Sequence, residues 1–154
     1  LKRKEIPYLR RKLGIVFQDF QLLSDRSVFE NMRFVMKATG WTDEVKIKMR
    51  VKELLAKVGL ESKEMVMPFQ LSGGEQQRIS IARALINDPE IILADEPTGN
   101  LDPETSEEIM KILLDISKTG RCILFATHDL LLYSKFPART LMCDNNKIAD
   151  SVKL

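Results

Sequence analysis

Three short apolar segments, separated by stretches of helical periodicity, constrain the fold of this chain most. They are residues 13–17, 91–94 and 122–126. Each is too short for a helix and almost continuously apolar, which is typical of buried strands in a parallel sheet. Apolar positions such as Ile47 and Val51 recur at helical spacing between them. The sequence therefore predicts an α/β fold, a mainly parallel sheet with helices on its faces.

Turn and cap residues predict where the helices begin and end. A Ser-x-x-Glu capping box at Ser27 and Glu30 should open a helix that ends near Gly40. A second helix should run from Thr42 to Gly59, because glycine commonly ends helices. The other predicted boundaries are a helix from Ser72 to about Asn87, a helix from Asp102 to Gly120, and a hairpin of residues 139–143 and 147–150 around Asn145 and Asn146.

The composition is that of an ordinary soluble domain. Of the 154 residues, 44% are hydrophobic and 30% are charged, and the net charge is only +2, which gives no argument for nucleic-acid binding. No segment has the roughly 18 to 20 apolar residues of a membrane span. The basic first eight residues lack the apolar core of a signal peptide and do not begin with Met, so we expect the sequence to start partway through a protein.

The two cysteines, Cys122 and Cys143, lie in apolar stretches and lack the spacing of metal ligands. Buried free thiols are the simplest expectation for such residues. Free thiols in turn indicate a cytosolic compartment, where disulfides are rare.

Polar residues follow each of the three apolar segments. They are Gln18 after the first, Asp95 and Glu96 after the second, and His128 after the third. In open parallel sheets, ligands bind beyond the carboxyl ends of the strands. The sequence therefore places these four side chains in one candidate site.

The adjacent carboxylates Asp95 and Glu96 suggest phosphate chemistry. An aspartate at the end of a buried strand can hold Mg²⁺ or its bound water beside phosphates, and a neighbouring carboxylate can orient and deprotonate an attacking water. Taken alone, the pattern is equally compatible with a solvated acidic turn after a strand.

Residues 72–75 (Ser-Gly-Gly-Glu) form a more specific pattern. A serine and two glycines at a helix start expose N–H donors at the positive end of the helix dipole, which is suited to an anion. The alternative is a capped helix with nothing bound. Capping explains Ser72 and Glu75, but it does not explain Gly73 and Gly74, because glycine weakens helix initiation.

Five motifs in the same order resemble those of ABC-type ATPases. Residues 71–78 resemble the signature motif, residues 17–19 the Q-loop and residues 93–98 the Walker B element. Residues 99–102 resemble the D-loop, and residues 126–129 the H-loop. Because these motifs span nearly the whole chain, it resembles the nucleotide-binding domain of an ABC transporter, which implies a P-loop NTPase fold with an α-helical subdomain.

This resemblance implies ATP and Mg²⁺ as ligands and assigns roles to single residues. Glu96 and His128 would be catalytic, with His128 at the γ-phosphate, and Asp95 and Gln18 would face the metal. A lone histidine after a strand is more often structural, but its place in the motif series reverses that reading. The residues implied to contact nucleotide are Gln18, Ser72, Gly73, Gly74, Gln76 and Asp102.

The resemblance also implies an assembly and a division into domains. Signature residues contact the nucleotide of the other subunit, so a head-to-tail dimer with Asp102 at the seam is expected. Residues 1–26 would end the core sheet and include the Q-loop, 27–70 would be the helical subdomain, and 71–154 the signature helix and the RecA-like core. The helical subdomain would receive a membrane permease-like partner, which places the protein on the cytoplasmic face of the membrane. Candidates to line that groove, with core packing at least as plausible for each, are Phe34, Met36 and Trp41.

The phosphate-gripping motif of the family, Gly-x-x-x-x-Gly-Lys-Ser/Thr, is absent from these 154 residues. Its amides and lysine cradle the β- and γ-phosphates, and its hydroxyl binds Mg²⁺. The fold implied by the resemblance is therefore incomplete here. We expect this chain alone to bind ATP weakly and to hydrolyse it negligibly.

Within the family, residues 22–31 and 38–41 most resemble the cell-division ATPases, and the Asp25–Arg26 pair favours that branch. Residues 93–102 are shared with lipoprotein-releasing and macrolide-efflux ATPases, which remain the alternative. A catalytically inactive docking fragment is a second alternative. Chromosome-maintenance ATPases share the head fold, but residues 18–72 lack their long heptad arms, so no nucleic-acid binding is expected.

Overall fold

The three apolar segments form one parallel sheet, as the sequence predicts. The structure is a computed structural model that describes Lys2, residues 5–144 and residues 147–150. The sheet has the order β1-β2-β3, with Val16 opposite Ala94 and Ala94 opposite Phe125. The strands are β1 (Leu13–Val16), β2 (Ile91–Asp95) and β3 (Cys122–Ala126).

Six α-helices accompany this sheet in the part of the chain that is described. They are α1 (Ile6–Arg11), α2 (Val28–Ala38), α3 (Glu44–Lys57), α4 (Gly73–Ala84), α5 (Pro103–Lys118) and α6 (Leu130–Lys135). Single 3-10 turns cover Glu61–Lys63 and Pro68–Gln70. None of the described helices is long and apolar enough to cross a membrane.

The predicted closing hairpin forms from β4 (Leu141–Asp144) and β5 (Lys147–Asp150). The strands pair antiparallel, and Asp144 lies opposite Lys147. The expected turn residues, Asn145 and Asn146, lie outside the described residues.

Local capping explains where the long helices begin. Ser27 caps α2 by accepting a hydrogen bond from the backbone of Glu30 at 3.3 Å. The Glu30 carboxylate accepts from Arg33, so the reciprocal half of the predicted capping box does not form. Helix α3 begins after Asp43, whose carboxylate accepts from two backbone N–H groups of the first turn. The predicted start at Thr42 is therefore two residues before the observed start at Glu44.

Two glycines end helices where the sequence predicts. Gly59 and Gly120 follow α3 and α5 with φ values of 69° and 92°. This left-handed conformation has almost no cost for glycine and is unfavourable for residues with a Cβ atom. Helix α4 ends at Ala84, three residues before the predicted end at Asn87.

The strands are buried on one face only, so the expectation of buried strands is wrong for the other face. Val16, Ile92 and Ala94 face the core, whereas Ile91 is 37% exposed and Leu124 is 58% exposed. Helix α4 packs on β1 and α5 packs on β3, and both cover the buried face. The opposite face has no described helix packed against it.

The cysteine expectation is also wrong, since both thiols are exposed. Cys122 begins β3 at an exposed position, and Cys143 lies on the exposed hairpin. Apolar neighbours in sequence predict burial only where a second layer covers that face of the strand.

An ionic joint, formed by Asp88 with Arg50 and Arg121, connects helix α3 to the sheet. Asp88 lies 2.7 Å from Arg50 of α3 and 3.0 Å from Arg121, the residue before β3. Arg50 also donates to the carbonyls of Leu85 and Ile86 at the end of α4. Since the Arg50 side chain is only 11% exposed, this joint fixes α3, the end of α4 and the start of β3 together.

Candidate functional site

Glu96 and His128 meet at the carboxyl ends of two neighbouring strands. The Nδ1 atom of His128 lies 2.6 Å from Oε1 of Glu96, and the hydroxyl of Thr127 donates to Oε2 at 3.4 Å. The backbone N–H of Glu96 donates to the carbonyl of Ala126 at 3.0 Å, which ties the end of β2 to the end of β3. The structure therefore brings the two predicted catalytic residues together.

The backbone of Glu96 is in the left-handed region, with φ of 45°. This is uncommon for a residue with a side chain, and such conformations concentrate at functional sites. A turn stabilises it, because Gly99 donates to the carbonyl of Glu96 and Leu101 donates to that of Thr98, both at 3.0 Å. The chain thus turns sharply after β2 and leaves the Glu96 carboxylate at the strand end.

The exposed imidazole of His128 responds to this carboxylate. The hydrogen bond to Glu96, followed by its negative charge, raises the pKa of His128 above the ordinary 6.5. A raised pKa means that the protonated imidazole is the favoured partner of the carboxylate. The pair can therefore hold a proton between an acid and a base at the strand ends.

Gln18 lies beyond β1 and contacts the turn that follows β2. Its Nε2 donates to Oδ1 of Asn100, and Nδ2 of Asn100 donates to the backbone carbonyl of Gln18, both at 3.2 Å. Asn100 belongs to the predicted D-loop, but its contact with Gln18 is not apparent from the sequence. The structure thus links the predicted Q-loop and D-loop within one chain.

Gln77 of α4 is a site residue that sequence reasoning missed. It is fully buried, and its Nε2 donates to the carbonyl of Phe17 at 3.2 Å and to that of Pro97 at 2.5 Å. Phe17 precedes Gln18, and Pro97 follows Glu96, so one amide holds the ends of β1 and β2 at a fixed separation. The available signal was its position four residues before the buried Ile81, on the inner stripe of α4.

The predicted capping box forms completely at the start of α4. The Ser72 hydroxyl accepts from the backbone of Glu75 at 3.2 Å, and the Glu75 carboxylate accepts from the backbone of Ser72 at 2.9 Å. Lys63 lies 2.9 Å from the same carboxylate. The Ser72 N–H, and then Lys63, lower the pKa of Glu75. Gln76, which follows, donates to the carbonyl of Leu71 at 3.2 Å.

The two glycines of this helix start have a packing reason. A Cβ atom on Gly74 would lie 2.5 Å from Cγ2 of Thr105, and one on Gly73 would lie 3.2 Å from Cδ2 of Leu101. Asp102 caps α5 by accepting from the hydroxyl and the backbone N–H of Thr105, which lower the pKa of Asp102. Close packing thus accounts for Gly74 without a ligand, and the start of α4 lies against the D-loop turn.

Asp95, the last residue of β2, is exposed beside the end of β1. Its carboxylate and the amide oxygen of Gln18 are the oxygen donors that Mg²⁺ prefers, since Mg²⁺ usually takes one or two carboxylates together with substrate phosphates. No group of three acidic, cysteine or histidine residues suited to a metal occurs among the described residues. Magnesium shared with phosphates does not need such a group, so the donor set fits it.

The three candidate groove residues have different surroundings. Met36 is fully buried and belongs to the core. Trp41 is half-buried and donates from Nε1 to Asn87 at 3.0 Å. Phe34 is 50% exposed, and the guanidinium of Arg26 lies 4.8 Å from its ring centre. Of the three, Phe34 is the most accessible to a partner.

Comparison with known families identifies the chain. Residues 1–99 match the model of the family described as ABC transporter. The chain belongs to the ABC transporter family. The family that the five motifs resemble is thus confirmed.

Three relatives within this family carry the same name, "Cell division ATP-binding protein FtsE". The Bacillus subtilis (strain 168) protein is 48% identical over 96% of the chain, the Escherichia coli (strain K12) protein 44% over 99%, and the Mycobacterium tuberculosis (H37Rv) protein 50% over 84%. The chain spans 64%, 68% and 56% of their lengths, respectively. The resemblance to the cell-division branch of the ABC transporter family is thus confirmed.

Solved structures confirm the ABC ATPase fold. One is the ATP-binding cassette MJ0796 in a dimeric post-hydrolysis state bound to ADP and Pi. It is 39% identical to this chain, with a TM-score of 0.72, and the match covers 86% of this chain and 59% of the MJ0796 chain. The other is the cbiO1 protein of Clostridium perfringens, part of the ABC transporter complex cbiONQ. It is 39% identical, with a TM-score of 0.75, and the match covers 84% of this chain and 52% of the cbiO1 chain.

Proposed function

We propose that this chain forms the catalytic-carboxylate and signature portions of an ATP-hydrolysing subunit in an ABC-type complex of cell division. The observation that carries this proposal is the contact between Glu96 and His128 at the carboxyl ends of β2 and β3. Ligands of parallel α/β sheets bind at this edge. The FtsE relatives support the cell-division setting, since 44–50% identity extends over most of the chain.

In this proposal Glu96 is the general base. Its carboxylate, fixed by His128 and Thr127, accepts the proton of the water that attacks the γ-phosphate. His128 uses Nδ1 to orient Glu96, which leaves Nε2 to donate to the γ-phosphate. Magnesium, when bound, neutralises phosphate charge, and Asp95 and Gln18 would hold it or its water.

The second group of residues would act on a neighbouring subunit. Ser72, Gly73, Gly74 and Gln76 lie at the start of α4, where the backbone N–H groups of the two glycines and the helix dipole favour an anion. We infer that they contact the nucleotide held by a second copy, with Asp102 at the seam. The dimeric state of MJ0796 with ADP and Pi supports this arrangement.

A membrane permease-like protein, FtsX-like in the cell-division branch, is the proposed partner. Residues 27–70 would form the helical subdomain that receives it, between a core of residues 1–26 and residues 71–154. The exposed Phe34 is available for that contact. Docking would place the protein on the cytoplasmic face of the membrane.

The test uses a longer protein that contains this chain and a phosphate-binding loop. His128→Ala should lower MgATP turnover by about 100-fold, because the γ-phosphate loses the hydrogen bond from His128 that stabilises its developing negative charge. Lys135→Ala, a change in the nearby α6, should leave turnover within twofold or so. Equal turnover of the His128 variant and the unmodified protein would refute the assignment. Co-purification with a different permease and not with an FtsX-like protein would refute the proposed partner.

A further inference from the structure

The strongest unexplained feature of the site is the reciprocal pair between Gln18 and Asn100. The two residues are 82 positions apart, yet they exchange two hydrogen bonds of 3.2 Å. In the first bond, the side-chain amide of Gln18 donates to the side chain of Asn100. In the second, the side chain of Asn100 donates to the backbone carbonyl of Gln18. The first bond orients the Gln18 side chain, and the second fixes the Asn100 amide against the Gln18 backbone, so that its oxygen stays within reach of Nε2.

We propose that Asn100 and Gly99 are positioning residues for Gln18. With Nε2 of Gln18 donating to Asn100, the opposite end of the planar amide, Oε1, is the end available to a cation or its water. Asn100 therefore selects which end of the amide faces the site. The consequence for catalysis rests on the proposed function, because it requires Gln18 to act at the metal.

Gly99 provides the space for this arrangement. A Cβ atom on Gly99 would lie 2.7 Å from Nε2 and 3.0 Å from Cδ of Gln18. Any side chain at position 99 would displace the amide from its place beside Asn100. The need for glycine here is a close approach, not an unusual backbone angle.

The surrounding backbone is fixed independently of this pair. Gln77 holds the carbonyls of Phe17 and Pro97, which flank Gln18 and Glu96. Loss of the Asn100 contact should therefore release the Gln18 side chain without moving the strand ends. Since Gly99 and Asn100 are exposed on a surface turn, their substitution should not unfold the chain.

The direct test is the side-chain amide resonance of Gln18 in ¹H–¹⁵N NMR spectra of the full chain, assigned with Gln18→Glu. Asn100→Ala and Gly99→Ala should each move this resonance toward the position of a solvated amide. Asn100→Asp keeps the acceptor for Nε2 and should stay closer to the unmodified spectrum. Glu104→Ala, at an exposed position in the first turn of α5, is the control and should leave the Gln18 resonance in place. An unmoved Gln18 resonance in both alanine variants overturns the proposal.

A second readout addresses the reaction in the longer protein with a phosphate-binding loop. Asn100→Ala should raise the Mg²⁺ concentration for half-maximal turnover by about threefold to tenfold, the range expected for one lost hydrogen bond, with a smaller effect at saturating Mg²⁺. An unchanged Mg²⁺ requirement overturns the positioning role in catalysis. If the unmodified protein hydrolyses no ATP, the proposed function fails, and the NMR result still decides whether Asn100 positions Gln18.

Discussion

The imidazole of His128 lies 2.6 Å from the carboxylate of Glu96, although the two residues are 32 positions apart in sequence. Pairing of β2 with β3 makes this contact possible, because Asp95 and Ala126 are opposite each other at the last step of the register. The left-handed turn at Glu96 then places its side chain beside the neighbouring strand. The proposed base is thus oriented by the sheet itself.

The first prediction concerns the titration of His128. Its pKa is raised by the hydrogen bond to Glu96, so Glu96→Gln should return it toward 6.5. With a folded-state pKa above the unfolded one, the pair stabilises the fold fully below about pH 6.5 and loses this contribution as the pH rises through the folded-state pKa. NMR titration of the single imidazole measures the shift. Identical pKa values in the two proteins would contradict the contact.

The second prediction concerns the cap of α4. Ser72→Ala removes the hydroxyl that accepts from Glu75 and should lower the free energy of unfolding by about 0.5–2 kcal/mol, measured by urea denaturation. Ser117→Ala is a suitable control, because its exposed hydroxyl bonds only to a carbonyl of its own helix. An equal, small effect of both changes would mean that the cap does not stabilise α4.

The charge of Glu75 adds a pH dependence to this cap. The Ser72 N–H and Lys63 lower the pKa of Glu75, so its contribution is present above about pH 4.5 and is lost as the pH falls through the lowered pKa. The stability of a Glu75→Gln variant should therefore vary less with pH in this acid range. A stability curve unchanged by the substitution would refute this contribution.

The third prediction concerns the two hydrogen bonds that the buried Gln77 donates to the ends of β1 and β2. Gln77→Met keeps the approximate volume but leaves the carbonyls of Phe17 and Pro97 without their donor. We expect a loss of about 1–3 kcal/mol in the free energy of unfolding. The same change at the half-buried Gln76 removes one hydrogen bond, to Leu71, and should cost less. If the Gln77 variant were as stable as the Gln76 variant, the two hydrogen bonds of Gln77 would not contribute the expected stability.

The fourth prediction concerns the ionic joint at Asp88. Asp88→Asn removes both ion pairs, with Arg50 and Arg121, while asparagine still tolerates the left-handed φ of 47°. The free energy of unfolding should fall by about 0.5–1.5 kcal/mol, and high salt should reduce the difference. Asp115→Asn, which breaks only an exposed pair with Lys118, should have almost no effect. Equal losses for the two variants would argue against the joint.

Local signals in the sequence predict much of this fold. The three strands, the capping residues Ser27, Ser72 and Asp102, and the stops at Gly59 and Gly120 lie where their short-range chemistry requires. Helices α1 and α6 were not predicted, because six residues are too few to show a helical period.

What the sequence could not predict depends on tertiary packing. Cys122 and Leu124 are exposed because the helices cover the opposite face of the sheet. The pattern of apolar residues along a strand does not indicate which face the helices will cover. The same limit applies to the site. The strand ends revealed Gln18, Glu96 and His128, whereas the contacts of Gln18 with Asn100 and of Gln77 with two strand ends arise only from the fold.

The most direct test of the account is ATP turnover by a longer protein that contains this chain and a phosphate-binding loop. If Glu96 is the base, Glu96→Gln should lower MgATP turnover by about 100-fold or more while ATP binding is kept, because the amide cannot accept the proton of the attacking water. Turnover at the unmodified rate, with ATP bound equally well, would contradict the account and remove Glu96 from the reaction.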